Sequence, residues 1–598
     1  MPLRIEDYAL IGDTQSVGLV GMDGSLDWLC LPRFDSPACF AALLGTPDNG
    51  RWRLAPRETE RVRVTRRYRD GTLVLETTFV TPEGSVRVHD CMPPRDRTPD
   101  VVRVVEGLSG EVAMRMELTI RFDYGSVMPW VRRLPDGRLG AIAGADALVL
   151  QEGVETHGEG PMTAADFTVR AGQRVPFVLS WHPSHEPPPR LMDAVQVLDD
   201  TQAWWQEWSG RCCYRGPWEE VVRGSLVTLK ALTYAPTGGM VAAATTSLPE
   251  LIGGVRNWDY RYCWLRDATY TLYALAHAGY REEAEAWRDW LLRAVAGDPS
   301  KLQIMYGVAG ERRLEERTVP WLSGYEASAP VRIGNSAVEQ LQLDVYGEVM
   351  DTLHQTRREG LASNVDAWNL QRALLDFLEG AWEQPDEGLW EVRGPRQHFT
   401  HSKVMAWVAF DRAIKSVEKA GLPGPVERWR RQRDAVHRDV CTYAYDPQRK
   451  TFTQAYGSEH LDASLLLIPQ VGFLPVNDLR VHGTVRAIER ELLRDGLVMR
   501  YPTEGQDGLP PGEGVFLACS FWLADCYALM QRTGEARVLY ERLCGLRNDV
   551  GLLAEEYDPV QRRQLGNFPQ AFSHVGLVNT AINLTPAQTA PVQHRHTT

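Results

Sequence analysis

The periodicity of this chain changes once, and the change divides it. From residue 1 to about 195, apolar residues alternate between turn signals. Leu73, Leu75, Thr77 and Phe79 follow Asp70-Gly71, and Val86 and Val88 follow Pro82-Glu83-Gly84. Val112, Met114, Met116, Leu118, Ile120 and Phe122 repeat the pattern after Ser109-Gly110. Period-two segments in series are antiparallel strands with one buried face, so 1–195 is expected to form a β-sandwich. From Trp181-His182-Pro183 to Pro187-Pro188-Pro189 the chain holds too much proline for a helix or a central strand. A connector follows, with a linker over 196–216 and a helical segment near 193–210.

After Pro217-Trp218 the period becomes helical. About twelve helices are expected over 217–585, among them 268–279, 281–296, 337–358, 366–382, 400–420, 478–494 and 514–532. In the last, Phe516, Leu517, Ser520, Phe521, Leu523 and Ala524 give apolarity on nearly all sides, the mark of a helix enclosed by others. Twelve helices in one domain fit six hairpins closed into a ring. Between them, 297–335 and 547–568 show little periodicity, and long irregular connections in a compact domain usually carry function. Residues 586–598 read as a flexible tail.

At 598 residues the chain is long enough for two domains, and its 44% hydrophobic and 24% charged residues are those of an ordinary globular protein. The net charge of −13 excludes nucleic acid or an anionic membrane as the main partner, since both need a basic face. A neutral ligand fits better. No apolar run approaches a membrane span, and Met1-Pro2-Leu3-Arg4 lacks a signal-peptide pattern, which leads to a cytoplasmic expectation. The ten cysteines are scattered without paired Cys-x-x-Cys motifs, so buried free thiols are expected and a zinc site is not. No cofactor is expected. A homo-oligomer is left open.

The chemistry concentrates in a few strings. Asn257-Trp258-Asp259-Tyr260-Arg261-Tyr262-Cys263-Trp264-Leu265-Arg266-Asp267 mixes flat aromatic faces with fixed charges just before a helix. Aromatic rings suit the C–H face of a sugar, and charged side chains suit its hydroxyls, although the same string would serve as core plus an Arg266–Asp267 ion pair. The mixture recurs from Glu311 through Trp321 to Ser328-Ala329-Pro330-Val331-Arg332-Ile333-Gly334-Asn335, at Arg500-Tyr501-Pro502, and at Asn567-Phe568-Pro569-Gln570. Two further strings, Gly388-Leu389-Trp390-Glu391 and Ala554-Glu555-Glu556-Tyr557-Asp558, each set a glutamate among aromatic and acidic neighbours. Two carboxyls facing one sugar, one protonated and one ionised, are what glycosidic cleavage requires.

Together these strings resemble glycoside hydrolase family 15, the glucoamylases with their bacterial trehalase-like and isomaltose-cleaving relatives. The opening Tyr8-Ala9-Leu10-Ile11-Gly12-Asp13 and Gly24-Ser25-Leu26-Asp27-Trp28 is similar to the N-terminal domain of the bacterial members. The resemblance spans nearly the whole chain. It implies an N-terminal antiparallel β-sandwich followed by an (α/α)6 barrel, and an inverting exo-hydrolase that releases β-glucose from a small α-glucoside or short α-glucan. Carried over by position, Glu391 is the general acid and Glu555 the general base; Arg266 and Asp267 grip the terminal glucose, Tyr260 and Trp264 line that subsite, and Arg500 reaches the sugar near the cleaved bond. Trp390, Arg332 and Glu556 complete the expected substrate-binding set.

Glu391 follows apolar Leu389 and Trp390, whose burial would favour a protonated acid, while Glu555 would stay ionised in contact with water. Glu556 stands where fungal glucoamylases carry glutamine; a surface position is the more ordinary place for it. Trehalose ranks ahead of isomaltose and short maltodextrins as substrate. A disaccharide phosphorylase of similar architecture and a non-catalytic sugar-binding protein remain alternatives.

Overall fold

The computed structural model describes residues 2–358, 360, 365–502 and 507–585; the tail expected over 586–598 lies outside the described residues. Fifteen antiparallel strands between Tyr8 and Pro183 form the N-terminal domain. Its organiser is one strand, Asp100–Thr119, that serves two sheets. The first half pairs with Gly84–Cys91 and Arg174–Pro183, and the second half with Arg51–Pro56 and Met162–Arg170. Ser109-Gly110 therefore marks a bend inside a strand rather than the start of one. Gly110 sits there at φ +63°, where an added Cβ would lie 2.1 Å from the Glu83 carbonyl oxygen. Leu75, Phe79, Val86, Val88, Val112, Met114, Met116 and Leu118, which the alternation singles out, all enter the core between the sheets.

Helix α1 (Ala194–Gly210) packs on the sandwich, its first turn capped by the Asp193 carboxylate. Among the described residues twelve α-helices follow: α2 (Glu219–Ala231), α3 (Ala268–His277), α4 (Arg281–Val295), α5 (Asp344–Arg358), α6 (Val365–Ala381), α7 (Thr400–Ala420), α8 (Val426–Tyr443), α9 (Leu467–Gln470), α10 (Leu479–Glu491), α11 (Leu517–Leu529), α12 (Thr533–Cys544) and α13 (Ala571–Asn583). Contacts run α3 to α5 to α7 to α9 to α11 to α13 and back to α3, an inner ring of six. The remaining six pack outside it. Burial follows that division: every residue from Leu517 to Tyr527 of α11 is buried, whereas α8 buries only Trp429, Val436 and Val440.

Two helix starts differ from expectation, and the second puts Phe516 in the cavity lining. The run over 337–358 opens on a 3-10 turn, Ser336–Glu339, and becomes α-helical only at Asp344, because the amides of Leu341 and Leu343 donate to Glu387 Oε2 and Asp386 Oδ2, each at 2.9 Å. The run over 514–532 begins at Leu517, since Val515-Phe516 pair as a strand with Tyr557 and Glu556. All ten cysteines are free thiols, seven of them buried. Among the described residues, no helix is long and apolar enough to cross a membrane.

The two domains share one apolar core. Tyr8, Leu10, Leu19 and Trp28 from the first strands join residues of α2, α3 and α13 in it. Polar ties reinforce the seam: Trp28 Nε1 donates to the Ala244 carbonyl at 2.9 Å, and Arg66 pairs with Asp549 at 2.6 Å.

Candidate active site

At the mouth of the ring, one cavity is walled by Trp258, Tyr260, Trp390, Tyr501 and Phe516, with Arg266, Glu391, Arg500 and Glu250 supplying polar groups. The loop before Glu391 is built for close packing: Gly388, at φ +71°, leaves only 2.5 Å between a would-be Cβ and the Phe399 ring. Glu391 itself takes φ +58°, a conformation that side chains with a Cβ rarely adopt, and it projects into the cavity wall. Its Oε1 accepts from Trp264 Nε1 at 2.7 Å and lies 3.5 Å from an Arg266 guanidinium nitrogen. The same guanidinium donates to the Leu389 carbonyl at 2.8 Å and to Asp267 Oδ1 at 3.2 Å. The Arg266 guanidinium thereby ties the loop to the helix start, and Trp264 ties the strand to Glu391.

Tyr260 stands edge-on to Trp264, with centroids 5.1 Å apart. Asp267 precedes α3, where burial raises its carboxyl and Arg266 opposes the rise. Trp390 donates its indole N–H to Asp462 Oδ2 at 2.8 Å and packs against Tyr501, Phe516 and Trp522. These contacts fix a flat aromatic wall beside Glu391.

Glu555 is not among the residues that line the cavity; it sits against Tyr260, which does line it. Glu555 is 1% exposed; Oε2 accepts from the Asn567 amide at 3.2 Å, and the Tyr260 hydroxyl lies against the carboxyl. Burial, and next the charge of Glu250, push its carboxyl up to about 8, with the Tyr260 hydroxyl acting in the opposite direction. The expectation of a water-bathed, readily ionised Glu555 is thus overturned: Gly566 packs so closely that a Cβ there would meet Glu555 Oε2 at 2.6 Å.

Glu556 is not on the surface either. It is fully buried, its Oε2 accepts from the Gly514 amide at 2.8 Å, and burial followed by Glu250 and Glu513 raises its carboxyl well above the ordinary range. Strand alternation explains the contrast with Tyr557: in Glu556–Asp558 the buried Glu556 and the half-buried Tyr557 point to opposite faces. It stands behind the wall and does not line the cavity. Arg500 does line it, but is held by carboxylates, with bonds to Glu513 at 2.9 and 2.6 Å and to Glu250 at 2.7 Å. Arg332 also sits outside the lining. Its guanidinium lies 4.5 Å from the Trp258 ring centre and donates to the Val255 and Asn257 carbonyls, so it braces Trp258.

Several lining residues belong to no motif singled out in the sequence. Arg393 also stacks on Trp258 at 4.4 Å; Arg256 pairs with Asp507 at 2.6 Å; and Glu250 joins Trp258 to Arg500. Glu250, Glu513 and Glu556 have carboxylate oxygens within 4.8 Å of one another, a grouping that could hold a cation, but Arg500 already supplies positive charge to all three. A neutral, hydroxyl-rich ring fits the cavity as a whole: aromatic faces on its sides, and donors and acceptors fixed at its end.

Residues 216–582 match the model of the glycosyl hydrolases family 15, and residues 1–185 match the trehalase-like N-terminal domain. The chain is 38% identical to the trehalase of Mycobacterium tuberculosis, covering 98% of this chain and 91% of that protein. It is 36% identical to the trehalase of Thermoplasma acidophilum, covering 95% and 98%. A crystal structure of a bacterial glucoamylase complexed with acarbose superposes with a TM-score of 0.75 over 100% of this chain and 97% of that one, at 12% identity, which establishes the β-sandwich and (α/α)6 barrel as a shared fold. The phosphorylase and non-catalytic alternatives fall with these findings. A ring of helix pairs behind a sandwich, with matches along both domains, makes the chain a glycoside hydrolase that belongs to glycosyl hydrolases family 15.

Proposed function

We propose that the protein is an inverting α,α-trehalase. The observation that carries this reading is similarity to trehalases along the whole chain, sandwich included, at 38% identity to one of them over 98% of this length. The cavity suits it: Trp258, Tyr260, Trp390 and Phe516 offer faces for one glucosyl ring, and Arg266 and Arg500 offer donors. Asp267, through Arg266, completes the grip. Isomaltose and short α-glucans rank behind trehalose.

Glu391 gives its proton to the glycosidic oxygen as the bond from that oxygen to C1 breaks. Water attacks C1 from the opposite face, and Glu555 takes the proton that water loses. Trp264 and Arg266 then stabilise the carboxylate left on Glu391, and Trp390 holds the wall beside it. The glucose that is attacked leaves as the β anomer. The departing glucose keeps its own α configuration, because its C1–O bond is never broken.

Proton NMR in the first minutes of turnover tests this. Trehalose is expected to give α- and β-glucose in equal amounts. Only α-glucose would mean retention, and cleavage of isomaltose but not trehalose would move the substrate. Glu391→Gln and Glu555→Gln should each lower kcat by about 10²–10⁴-fold. Since Glu555 must lose its proton to act, kcat/KM should rise with pH up to about 8. A fall across the same range would exchange the two roles.

A further inference from the structure

Glu250 closes the wall of the cavity just after the strand Thr246–Pro249, 1% exposed and pinned by its own backbone. Its amide donates to the Arg256 carbonyl at 3.1 Å, and its carbonyl accepts from Gly514 at 2.9 Å. The carboxylate has no more freedom than the backbone: Oε1 accepts from Trp258 Nε1 at 3.1 Å and Oε2 from Arg500 at 2.7 Å. One residue earlier, the Pro249 carbonyl accepts the Gly566 amide at 2.8 Å, and Gly566 is the residue pressed against the Glu555 carboxylate. Glu250 and Glu555 therefore stand on neighbouring backbones.

The local charges do not cancel. Arg500 is shared by Glu513 at 2.6 Å, Glu250 at 2.7 Å and Glu556 at 3.8 Å, and Arg256 pairs with Asp507 at 2.6 Å while lying 3.6 Å from Glu513 and 3.9 Å from Glu250. Two guanidiniums thus face four carboxyls; burial, and then Glu513 against Arg500 and Arg256, raises the Glu250 carboxyl, and Glu556 is raised well above the ordinary range, while Tyr260 and Glu391, the latter facing Arg266, line the same cavity. A surplus negative charge beside a buried carboxyl opposes loss of its proton, and this one cannot swing away.

We propose that Glu250 is a positioning residue for the hydrolysis: clamped between Trp258 and Arg500, it holds a fixed negative charge against Glu555 and sets the pH at which that group becomes a competent base. The inference rests on the reading of Glu555 as base. It adds a device that neither general-acid chemistry nor sugar recognition requires.

The test compares wild type, Glu250→Gln and Glu250→Asp in kcat/KM for trehalose across pH 5–10. With Gln, the rising limb should move to lower pH by about one unit or more, as expected when a neighbouring like charge is removed. With Asp, which keeps the charge, it should return toward the wild-type position even if kcat falls. A limb unmoved by Gln overturns the proposal, whatever happens to kcat. A second readout needs no turnover: melting temperatures of wild type, Glu250→Gln, Glu555→Gln and the double variant at pH 6 and pH 8.5. Coupling that is larger at pH 8.5 supports the inference; additive effects at both pH values overturn it. Absence of glucose release by wild type would sink the trehalase reading while leaving this cycle to decide on Glu250.

Discussion

One carboxylate oxygen of Glu391 takes both the Trp264 indole N–H and the approach of Arg266, so that oxygen is a fixed point while the other is free to meet substrate. Trp264→Phe keeps the ring and deletes the donor. A hydrogen bond to a charged group contributes about 1.5–3 kcal/mol, which sets the expected loss in kcat near 10–100-fold, with melting temperature little changed. An equal loss in stability would place the contact in folding instead. Glu555 carries the opposite balance, being buried among like charges. Its carboxyl holds its proton more tightly in the folded chain than in the unfolded one, so it contributes stability at acid pH that is lost as pH rises through about 8. Glu555→Gln should therefore be more stable than wild type at pH 9 by about 1 kcal/mol or more, with the gain vanishing below pH 5. A gain independent of pH, in a calorimetric series, would remove charge repulsion as its cause.

Helix α5 meets α7 at Gly347, where an added Cβ would stand 2.3 Å from the Met405 carbonyl oxygen. Backbone cannot yield there as a side chain would, so Gly347→Ala must push these two neighbours of the inner ring apart. Overpacking of this kind costs about 1–3 kcal/mol, read as a lower melting temperature with far-ultraviolet circular dichroism unchanged. An unaffected melt would mean the ring accommodates the methyl by sliding. Helices of this ring were legible in the sequence because their signal is local: α7 spans Thr400–Ala420, the bounds its periodicity marks. So were the sandwich strands that alternate, such as Leu75–Val80. The double service of Asp100–Thr119 was not, because a bend at Gly110 that keeps both sheets paired looks, from within the chain, like a turn. Glu391 could be picked out from its aromatic neighbours, whereas Glu250 could not, since its partner Arg500 lies 250 residues away. Burial of Glu556 escaped for the same reason: the amide that donates to it belongs to Gly514, 42 residues away.

The sandwich does more than adjoin the barrel, because a line of polar contacts runs from it to the substrate wall. Tyr124 of the N-terminal domain places its hydroxyl 2.9 Å from the Arg261 guanidinium, which also donates to the Ser36 carbonyl at 3.0 Å. Arg261 in turn is paired with Asp259 at 2.7 Å, and Asp259 Oδ2 accepts from the Gly334 amide at 3.1 Å. Gly334 follows the short strand Arg332–Ile333, whose arginine braces Trp258 in the cavity. Every link is buried or nearly so, and a charged group deprived of a buried partner shifts its neighbours rather than tolerating the loss. Tyr124→Phe should therefore lower stability by about 1.5–3 kcal/mol and also raise KM for the substrate several-fold, because Trp258 shapes the cavity. Steady-state kinetics well below the melting point separate the two effects. If KM holds at its wild-type value while the melting temperature drops, the N-terminal domain supports the barrel without reaching its pocket.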